Sequence, residues 1–449
     1  MSQDFKEKES GKRSIPRRKF LKNGLAACSI TVLGSALGNR TAFAEVPYIS
    51  ATFISPQYYD HTEGDALLDV LKEKSPFRYY GMGKPHKVKD FESGWGEYIG
   101  AKYPLCVTSG TAALDCAVTG LGIGPGDEVI MPAYTWWSDY TCVINAGALP
   151  VFADIDESIT LDPKDFERKI TSRTRAVIPV HLLGGQCDMD AIMAIAKKNG
   201  IKVLEDCAQC VGGSYKGTKL GLIGDVGIYS YQYHKMISAG EGGSLVTNDP
   251  IIYEKAARFH DMGVMQRVFT DRLGESKVDD FAGENFRMSE FTGAVLGAQL
   301  PKLDTIVKDM RGNCNYVRDG IKKLPGIKLR KRPDPNGDIG YAVFIETKNK
   351  AAREKFKEEM KKQRVGAGNI SGSVLLPIKS SIMKKQTRHP KWPSFNSPEG
   401  KAIQYGPDTC RQTLRIHDTF VQVRIGPKFT QEMNDRVIDA ITKAHKAVS

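Results

Sequence analysis

The feature that most constrains the fold is an alternation of short apolar runs with helical segments, over roughly residues 100–250 of the 449-residue chain. The runs are EVIMPAY (128–134), LPVFADI (149–155), RAVIPVHLL (175–183), IKVLED (201–206) and SLVTND (244–249). Helical patterns lie between several of them, and the one over 188–200 ends in Gly200, a residue type that favours the left-handed C-cap position. Buried strands that alternate with helices predict an α/β domain with a mostly parallel sheet.

The length of the chain and a change of character near residue 300 predict two domains. A chain of 449 residues is too long for one hydrophobic core, and 41% hydrophobic with 26% charged residues is typical of globular proteins, not of disordered or membrane chains. Residues 301–324 form a long helical pattern, and the Pro/Gly-rich stretch PDPNG (333–337) follows. We predict a large α/β domain over 45–300, with a lead-in segment at 45–80, and a smaller α+β domain over 301–449.

The net charge of +12 would suggest nucleic acid or an anionic membrane as a partner, so the position of the charges matters. Residues 1–44 carry half of that net charge, because they hold only Asp4, Glu7 and Glu9 against nine basic residues: Lys6, Lys8, Lys12, Arg13, Arg17, Arg18, Lys19, Lys22 and Arg40. The remaining +6 is spread over the other 405 residues without a basic block. We therefore predict no nucleic-acid partner.

The first 44 residues have the three parts of an export signal. After the basic head comes the apolar stretch 25–37, whose length of about 13 residues is less than the roughly 20 that a membrane-spanning helix needs. The small-x-small cleavage pattern Ala-Phe-Ala follows at 42–44. Within the head, PRRKFLK (16–22) resembles the twin-arginine export signal. We predict a twin-arginine signal peptide over 1–44, a periplasmic location and only transient contact with the membrane. A lipoprotein box at 25–28 is a weaker alternative, since cleavage there would leave almost no apolar segment.

Three parts of the central segment together suit pyridoxal phosphate. Asp206 ends an apolar run, so a parallel strand would bring its carboxylate to the ligand-binding edge of the sheet. The small-residue turn SGTAAL (109–114) opens a helix, where free backbone amides bind anions such as phosphate. Lys235 precedes the Gly-rich stretch 240–243. The phosphate needs the turn, the pyridine nitrogen needs a carboxylate and the aldehyde needs a lysine amine.

The sequence resembles one known family from about residue 80 to its C-terminus. The similar stretches are KVKDFESGWGEYIGAKYPLCVTSGTAAL (87–114), PGDEVIMPAYTW (125–136), PVFADID (150–156), VIPVHLLGGQCDMDAI (177–192), EDCAQCVGGSYKG (205–217), YSYQYHKMISAGEGG (229–243) and GENFRMSEFTGAVLGAQL (283–300). They resemble the DegT/StrS (DegT/DnrJ/EryC1/StrS) sugar aminotransferases, which are pyridoxal-phosphate enzymes of fold type I. Gln232 and the stretch 405–423 are most similar to the glutamine-dependent inosose aminotransferases and the aminohydroxybenzoate synthases.

The resemblance implies a fold and the roles of three residues. The expected fold is a large domain with a mostly parallel, seven-stranded sheet and a smaller C-terminal α+β domain. Lys235 matches the Schiff-base lysine, which also moves the proton between Cα and C4′. Asp206 matches the partner of the pyridine nitrogen. Trp136 matches the aromatic residue that stacks on the ring, with its neighbour Trp137 as the alternative.

The resemblance also implies how the rest of the cofactor is held. Gln209 matches a position that contacts the ring face or the 3′-oxygen region. Gly110, Thr111 and Ser230 match phosphate-binding positions. Asn285 matches a residue that reaches the phosphate of the neighbouring subunit, which implies a homodimer with shared active sites.

Other residues of these motifs have structural interpretations beside functional ones. No second C-x-x-C accompanies the one at 207–210, so a metal site is not predicted. The stretch Trp-Ser-Asp at 137–139 departs from the small residues and the Thr of many relatives, and it places an acid near the expected substrate mouth. Arg287 could be structural or functional. We expect core or supporting roles for Cys207, Cys210, His181 and His234.

These observations predict a pyridoxal-phosphate-dependent aminotransferase. It would move an amino group from Glu or Gln to a keto-sugar, keto-cyclitol or related ketone in a ping-pong cycle. One alternative is a pyridoxamine-dependent sugar dehydratase, a branch in which His replaces the lysine, whereas this chain has Lys235. The other is an exported protein that binds the cofactor or a sugar without turnover.

Overall fold

The computed structural model describes residues 47–79, 86–266, 269 and 272–449. The export signal predicted for 1–44 lies outside the described residues. Within the described ranges, no helix combines the length and the apolar character that crossing a bilayer requires.

Thirteen strands are described in these ranges, and they form two larger sheets and one small hairpin. In chain order they are β1 (Tyr103–Val107), β2 (Glu128–Pro132), β3 (Leu149–Ala153), β4 (Thr174–Val177), β5 (Lys202–Asp206), β6 (Ser214–Tyr215), β7 (Thr218–Lys219), β8 (Val226–Ser230), β9 (Gly243–Thr247), β10 (Lys328–Leu329), β11 (Ala342–Glu346), β12 (Gly368–Asn369) and β13 (Phe420–Arg424). The seven-stranded sheet has the order β1-β9-β8-β5-β4-β2-β3.

Most neighbours in this sheet are parallel. The pairs β3–β2, β2–β4, β4–β5 and β5–β8 are parallel, whereas β9 runs antiparallel between β8 and β1. This arrangement confirms the predicted α/β class with a mostly parallel sheet. Strand β4 is shorter than the apolar run 175–183, because Pro179 has no amide to continue the ladder and the chain turns at Leu182–Gly184.

Helices cover both faces of the sheet. The helices of the whole described part of the chain are His61–Glu73, Lys87–Ile99, Gly110–Leu121, Trp137–Asn145, Pro163–Lys169, Met189–Asn199, Pro250–Phe259, Glu290–Gln299, Leu303–Ile321, Lys350–Lys362, Ser380–Met383, Pro393–Asn396, Pro398–Ala402, Arg411–Thr419 and Gln431–Val448. Short 3₁₀ turns lie at Ser55–Tyr58, Leu182–Gly184, Leu300–Lys302, Gly372–Val374 and Leu376–Ile378. The helix predicted within 188–200 is Met189–Asn199, with an Asp188 N-cap and Gly200 in the left-handed conformation at φ 64°.

The pleat of the strands divides the core between these two faces. Along β1, Leu105 and Val107 pack into one cluster with the helices Gly110–Leu121 and Pro250–Phe259. Cys106 points the other way, into a cluster that contains residues of Lys87–Ile99 and Met189–Asn199. Because both faces are buried, the strands need continuous apolar runs, which is the pattern that the sequence shows.

A four-stranded antiparallel sheet of order β10-β11-β13-β12 packs against Lys350–Lys362 and Gln431–Val448. The helix Leu303–Ile321 contributes to two cores: its first half packs with Met189 and Ile192, and its second half with β11 and β13. Residues 47–449 form one compact unit. The domain boundary at residue 300 therefore stays a prediction.

Candidate active site

A cavity of about 550 Å³ opens at the carboxyl edge of the seven-stranded sheet. Strands β1, β5 and β8 all end at this edge. Strand β5 is parallel to β8, and β1 has the same direction as β8 because β9, which lies between them, is antiparallel to both. The cavity is lined by seven of the eight residues predicted for the site: Gly110, Thr111, Trp136, Asp206, Gln209, Ser230 and Lys235. Residues from four separate motifs thus meet at one place.

The N-terminus of the helix Gly110–Leu121 forms the anion-binding end. The Ser109 hydroxyl caps the helix by accepting a hydrogen bond from the Ala112 amide at 3.1 Å. The Thr111 hydroxyl lies 2.6 Å from Ser138 Oγ. Gly110 is required for the close approach of β8, because a Cβ there would lie 2.8 Å from Ser230 Cβ. The first amides of a helix have no partner within the helix, so this end offers donors and a positive dipole to a phosphate.

Asp206, which also lines the cavity, is held in place by its own backbone. It ends β5, its amide donates to the Pro179 carbonyl at 3.0 Å, and its carbonyl accepts from the His181 amide at 2.9 Å. Its carboxylate accepts a hydrogen bond of 2.7 Å from the Ala208 amide. Burial raises the pKa of the Asp206 carboxyl, and the Ala208 amide and the nearby Lys235 ammonium oppose that rise.

Lys235 follows β8 in a turn closed by a 2.9 Å hydrogen bond from its amide to the Gln232 carbonyl. Its Nζ makes no hydrogen bond or ion pair with any residue that the structure describes. Burial lowers the pKa of the Lys235 ammonium, although the Asp206 and Asp139 carboxyl groups act against this. A lysine with a lowered pKa supplies more of the neutral amine that attacks a carbonyl carbon or accepts a proton.

The two tryptophans have different environments. Trp136 is 53% exposed and lines the cavity. Trp137 starts the helix Trp137–Asn145 and packs on Tyr140 in a T-shaped contact with a centroid distance of 6.4 Å. Of the two, only Trp136 lines the cavity, which supports it over its neighbour as the stacking residue.

Gln209 lies on the turn after β5 and is held in place on the cavity wall. Its side-chain Oε1 accepts a hydrogen bond from the Leu183 amide at 3.2 Å, and its backbone carbonyl accepts one from the Gly184 amide at 3.1 Å. Leu183 adopts a left-handed conformation with φ 52°. The side chain of Gln209 therefore ties the segment after β4 to the cavity.

Asn285 and Arg287 lie outside this cavity. Asn285 is exposed and forms an isolated antiparallel bridge with Asp261. Arg287 Nη1 forms an ion pair with the fully buried Asp261 carboxylate. Arg287 thus has a structural contact that fixes the segment carrying Asn285.

His181 has a supporting position, as expected. It is fully buried, its Nδ1 accepts the Cys187 amide at 3.1 Å, and its Nε2 lies 3.1 Å from Glu205 Oε2. Because Nδ1 accepts, the ring proton is on Nε2, and the ring donates to Glu205. His234 instead lines the cavity and packs on Phe53 with a centroid distance of 4.2 Å.

Cys207 and Cys210 are buried free thiols. Burial raises the pKa of the Cys207 thiol and raises that of Cys210 to about 12. Thiols with raised pKa values contain little thiolate, the reactive form, which agrees with the supporting role expected for both cysteines.

Sequence reasoning placed Asp139 near the substrate mouth, and that placement is wrong. Asp139 is fully buried and does not line the cavity, because the helix Trp137–Asn145 turns it inward. Its Oδ2 accepts a hydrogen bond from the Thr135 hydroxyl, and its carboxyl group lies within hydrogen-bonding reach of Asp206. Helical spacing is the signal that could have revealed this, since Asp139 shares a helix face with the buried Cys142 and Val143.

The donors of this cavity fit pyridoxal phosphate. The Gly110 cradle suits a phosphate, Asp206 suits a pyridinium nitrogen, Trp136 suits an aromatic ring, and the amine of Lys235 has no partner among the described residues. Each group therefore matches one functional part of the cofactor.

Comparison with known proteins supports this assignment. Residues 65–390 match the model of the DegT/DnrJ/EryC1/StrS aminotransferase family. The GDP-perosamine synthase of Vibrio cholerae is 35% identical over 248 residues, which span 55% of this chain and 65% of that protein, slightly less than two thirds of its length.

Two further similarities extend over more of the molecule. The L-glutamine:2-deoxy-scyllo-inosose aminotransferase of Streptomyces fradiae is 35% identical over 349 residues, covering 73% of this chain and 80% of that one. The crystal structure of 3-amino-5-hydroxybenzoic acid synthase superposes with a TM-score of 0.73 at 25% identity, covering 89% of this chain and 100% of that one.

Proposed function

The chain belongs to the DegT/DnrJ/EryC1/StrS aminotransferase family, and we propose that it transfers an amino group from Glu or Gln to a keto-sugar, keto-cyclitol or related ketone with pyridoxal phosphate. The observation that carries this proposal is the cavity in which Lys235, Asp206 and the Gly110 turn meet. These three parts suit the cofactor's aldehyde, its ring nitrogen and its phosphate, respectively.

Four elements of the chain would hold the cofactor. The helix N-terminus at Gly110 and Thr111 and the hydroxyl of Ser230 would bind the phosphate. Trp136 would cover one face of the ring, and the Asp206 carboxylate would accept a charge-assisted hydrogen bond from the protonated ring nitrogen. When bound, pyridoxal phosphate supplies an electron sink for the charge that develops at the substrate Cα.

Lys235 would perform the proton transfers. Its amine has a lowered pKa, so a larger fraction is neutral near pH 7 and able to accept the Cα proton of the amino donor. The same nitrogen would return a proton on the other side of the reaction, when the amino group reaches the ketone. Because both half-reactions use one base in one cavity, donor and acceptor would bind in turn, as in a ping-pong cycle.

The relatives support the substrate classes. The similar proteins include a synthase of an amino sugar nucleotide and a glutamine-dependent cyclitol aminotransferase. Lys235 occupies the position that carries His in the dehydratase branch, which favours amine transfer over dehydration. We propose Glu or Gln as the donor and a ketone on a sugar or cyclitol ring as the acceptor.

We propose a homodimer with shared active sites. Asn285 is exposed and lies away from the cavity of its own chain, where a residue serving a neighbouring subunit would lie. Apolar side chains near the cavity also remain exposed, by 53% for Trp136, 43% for Tyr233 and 40% for Phe53. A second copy over this surface would remove that apolar area from water.

We further propose export to the periplasm by the twin-arginine route. Replacing Arg17 and Arg18 with Lys should keep the protein in the cytoplasm, because the paired arginines are the recognised element of such signals. Arg13→Lys is the matched control and should leave export unchanged. Equal export of the double variant would contradict the proposal.

The aminotransferase assignment is tested with Lys235→Ala. The variant should lose the yellow absorbance of the lysine-bound cofactor and the transfer of an amino group from Gln or Glu to any ketone of a test panel. Lys322→Ala, at the exposed C-cap of the helix Leu303–Ile321, should keep both properties. An unchanged spectrum for Lys235→Ala would refute the assignment.

A further inference from the structure

Behind the cavity lies a buried carboxyl group that the mechanism above does not use. Asp139 is 0% exposed, and it sits in the first turn of the helix Trp137–Asn145. Its Oδ2 accepts a hydrogen bond from the Thr135 hydroxyl. Its Oδ1 is also buried and receives no hydrogen bond from any N–H or hydroxyl of the described residues. The Asp139 and Asp206 carboxyl groups lie within hydrogen-bonding reach of each other.

Two ionised carboxylates cannot make this contact. An ionised carboxyl group only accepts hydrogen bonds, so two of them leave facing oxygens unsatisfied and repel each other. A buried, unpaired acceptor is also costly. One proton between the two groups removes both problems, since it turns the contact into a hydrogen bond.

The surroundings decide which group carries the proton. Asp206 accepts the Ala208 amide and faces the Lys235 ammonium, and both interactions favour its ionised form. Asp139 has only the neutral Thr135 hydroxyl, and the Lys235 charge acts on it less strongly than the Asp206 charge. Burial and the Asp206 charge raise the pKa of the Asp139 carboxyl well above its usual range.

We propose that Asp139 is a positioning residue that remains protonated and donates a hydrogen bond to Asp206, so that Asp206 stays ionised and correctly oriented for the pyridine nitrogen. The proposal deepens the proposed function and rests on it. A hydrogen bond from Asp139 makes Asp206 less basic, and a less basic Asp206 leaves the proton on the ring nitrogen. Asp139 does not line the cavity, so it acts through Asp206.

Two substitutions separate a neutral donor from a charged group. Asp139→Asn keeps the shape, can accept from Thr135 and can donate to Asp206, as the protonated acid does. Asp139→Leu fills the space and donates nothing. If Asp139 is protonated, the Asn variant resembles the wild-type holoenzyme and the Leu variant does not.

The test compares these variants with the wild-type holoenzyme, after the yellow absorbance and amine transfer of the wild type have been established. We expect Asp139→Leu to lower kcat by about 100-fold with little change in the KM of the amino donor, because an interaction that matters in the transition state is lost. It should also shift the pH midpoint of the cofactor's visible absorbance by about one unit. Asp139→Asn should keep both values near those of the wild type.

An infrared measurement reads the proton directly and does not depend on activity. The difference spectrum of wild type minus Asp139→Asn at pH 7 should contain the carbonyl stretch of a protonated carboxylic acid. A difference spectrum with only ionised-carboxylate bands would overturn the proposal, as would an Asn variant whose absorbance midpoint shifts as far as that of the Leu variant. A wild-type protein without cofactor absorbance would instead refute the proposed function and leave the infrared result interpretable.

Discussion

The two acids that end β5 are neighbours in sequence, both are buried, and they serve opposite purposes. Glu205 accepts the amides of Gly221 at 2.9 Å and of Ile223 and Gly224 at 2.7 Å each, and the ring of His181 completes its shell. Asp206 accepts one backbone amide and faces the cavity. A carboxylate whose oxygens are filled by backbone donors stabilises a loop, whereas one with acceptor capacity left beside a cavity is available to a ligand.

The strongest test of this contrast is Asp206→Asn. The amide cannot form a charge-assisted hydrogen bond with a protonated ring nitrogen, so kcat should fall about 1,000-fold. The free energy of unfolding should change by less than about 1 kcal/mol, because the side chain makes few structural contacts. Steady-state kinetics and denaturant unfolding measure the two effects. Activity within tenfold of the wild type would assign Asp206 a structural role.

The matched substitution in the loop-stabilising acid is Glu205→Gln. It puts an N–H group against backbone amides that need an acceptor, and we expect the free energy of unfolding to fall by about 3 kcal/mol. The kcat of the folded protein should change little, since Glu205 does not line the cavity. Urea unfolding measures the change in stability, and steady-state kinetics at urea concentrations below the unfolding transition measure kcat. A Gln variant that loses activity without losing stability would erase the contrast between the two acids.

The pH dependence of stability should show an effect that is smaller than the other two when it is expressed per pH unit. The raised pKa of Asp139 contributes stability that is complete below the unfolded-state pKa of about 3.9 and is lost as the pH rises through the folded-state pKa. Asn does not titrate, so the unfolding free energy of Asp139→Asn relative to the wild type should rise by about 1.4 kcal/mol per pH unit within that window. Urea titrations of the cofactor-free proteins between pH 5 and about pH 8 measure the slope. A difference that is independent of pH would show that Asp139 is ionised.

The position of most site residues could be predicted from the sequence, because these residues lie at the ends of strands and the apolar runs reveal where the strands are. Asp206 and Ser230 end β5 and β8, and Gly110 opens the helix after β1. Parallel strands bring such ends to one edge, so seven predicted residues meet in one cavity without any knowledge of long-range contacts. Asn285 is the exception, since its expected partner is another subunit.

The parts that sequence reasoning missed depend on contacts between distant segments. The apolar run 244–249 gave no sign that β9 is antiparallel, because direction is set by how the chain returns to the sheet. Glu205 and Asp206 look alike in the sequence, and only the loop 221–224 folding back on β5 separates them. Asp139 lies 67 positions before Asp206, and the contact between them follows from packing of the helix Trp137–Asn145 against the sheet.

The central claim is that Lys235 is the residue that binds the cofactor covalently, and peptide mapping tests it most directly. The protein is incubated with pyridoxal phosphate, reduced with borohydride and digested, and the modified peptide is sequenced by mass spectrometry. One pyridoxyl group on Lys235 is the predicted result. A group on another lysine, or no modification of the wild-type protein, would contradict the account.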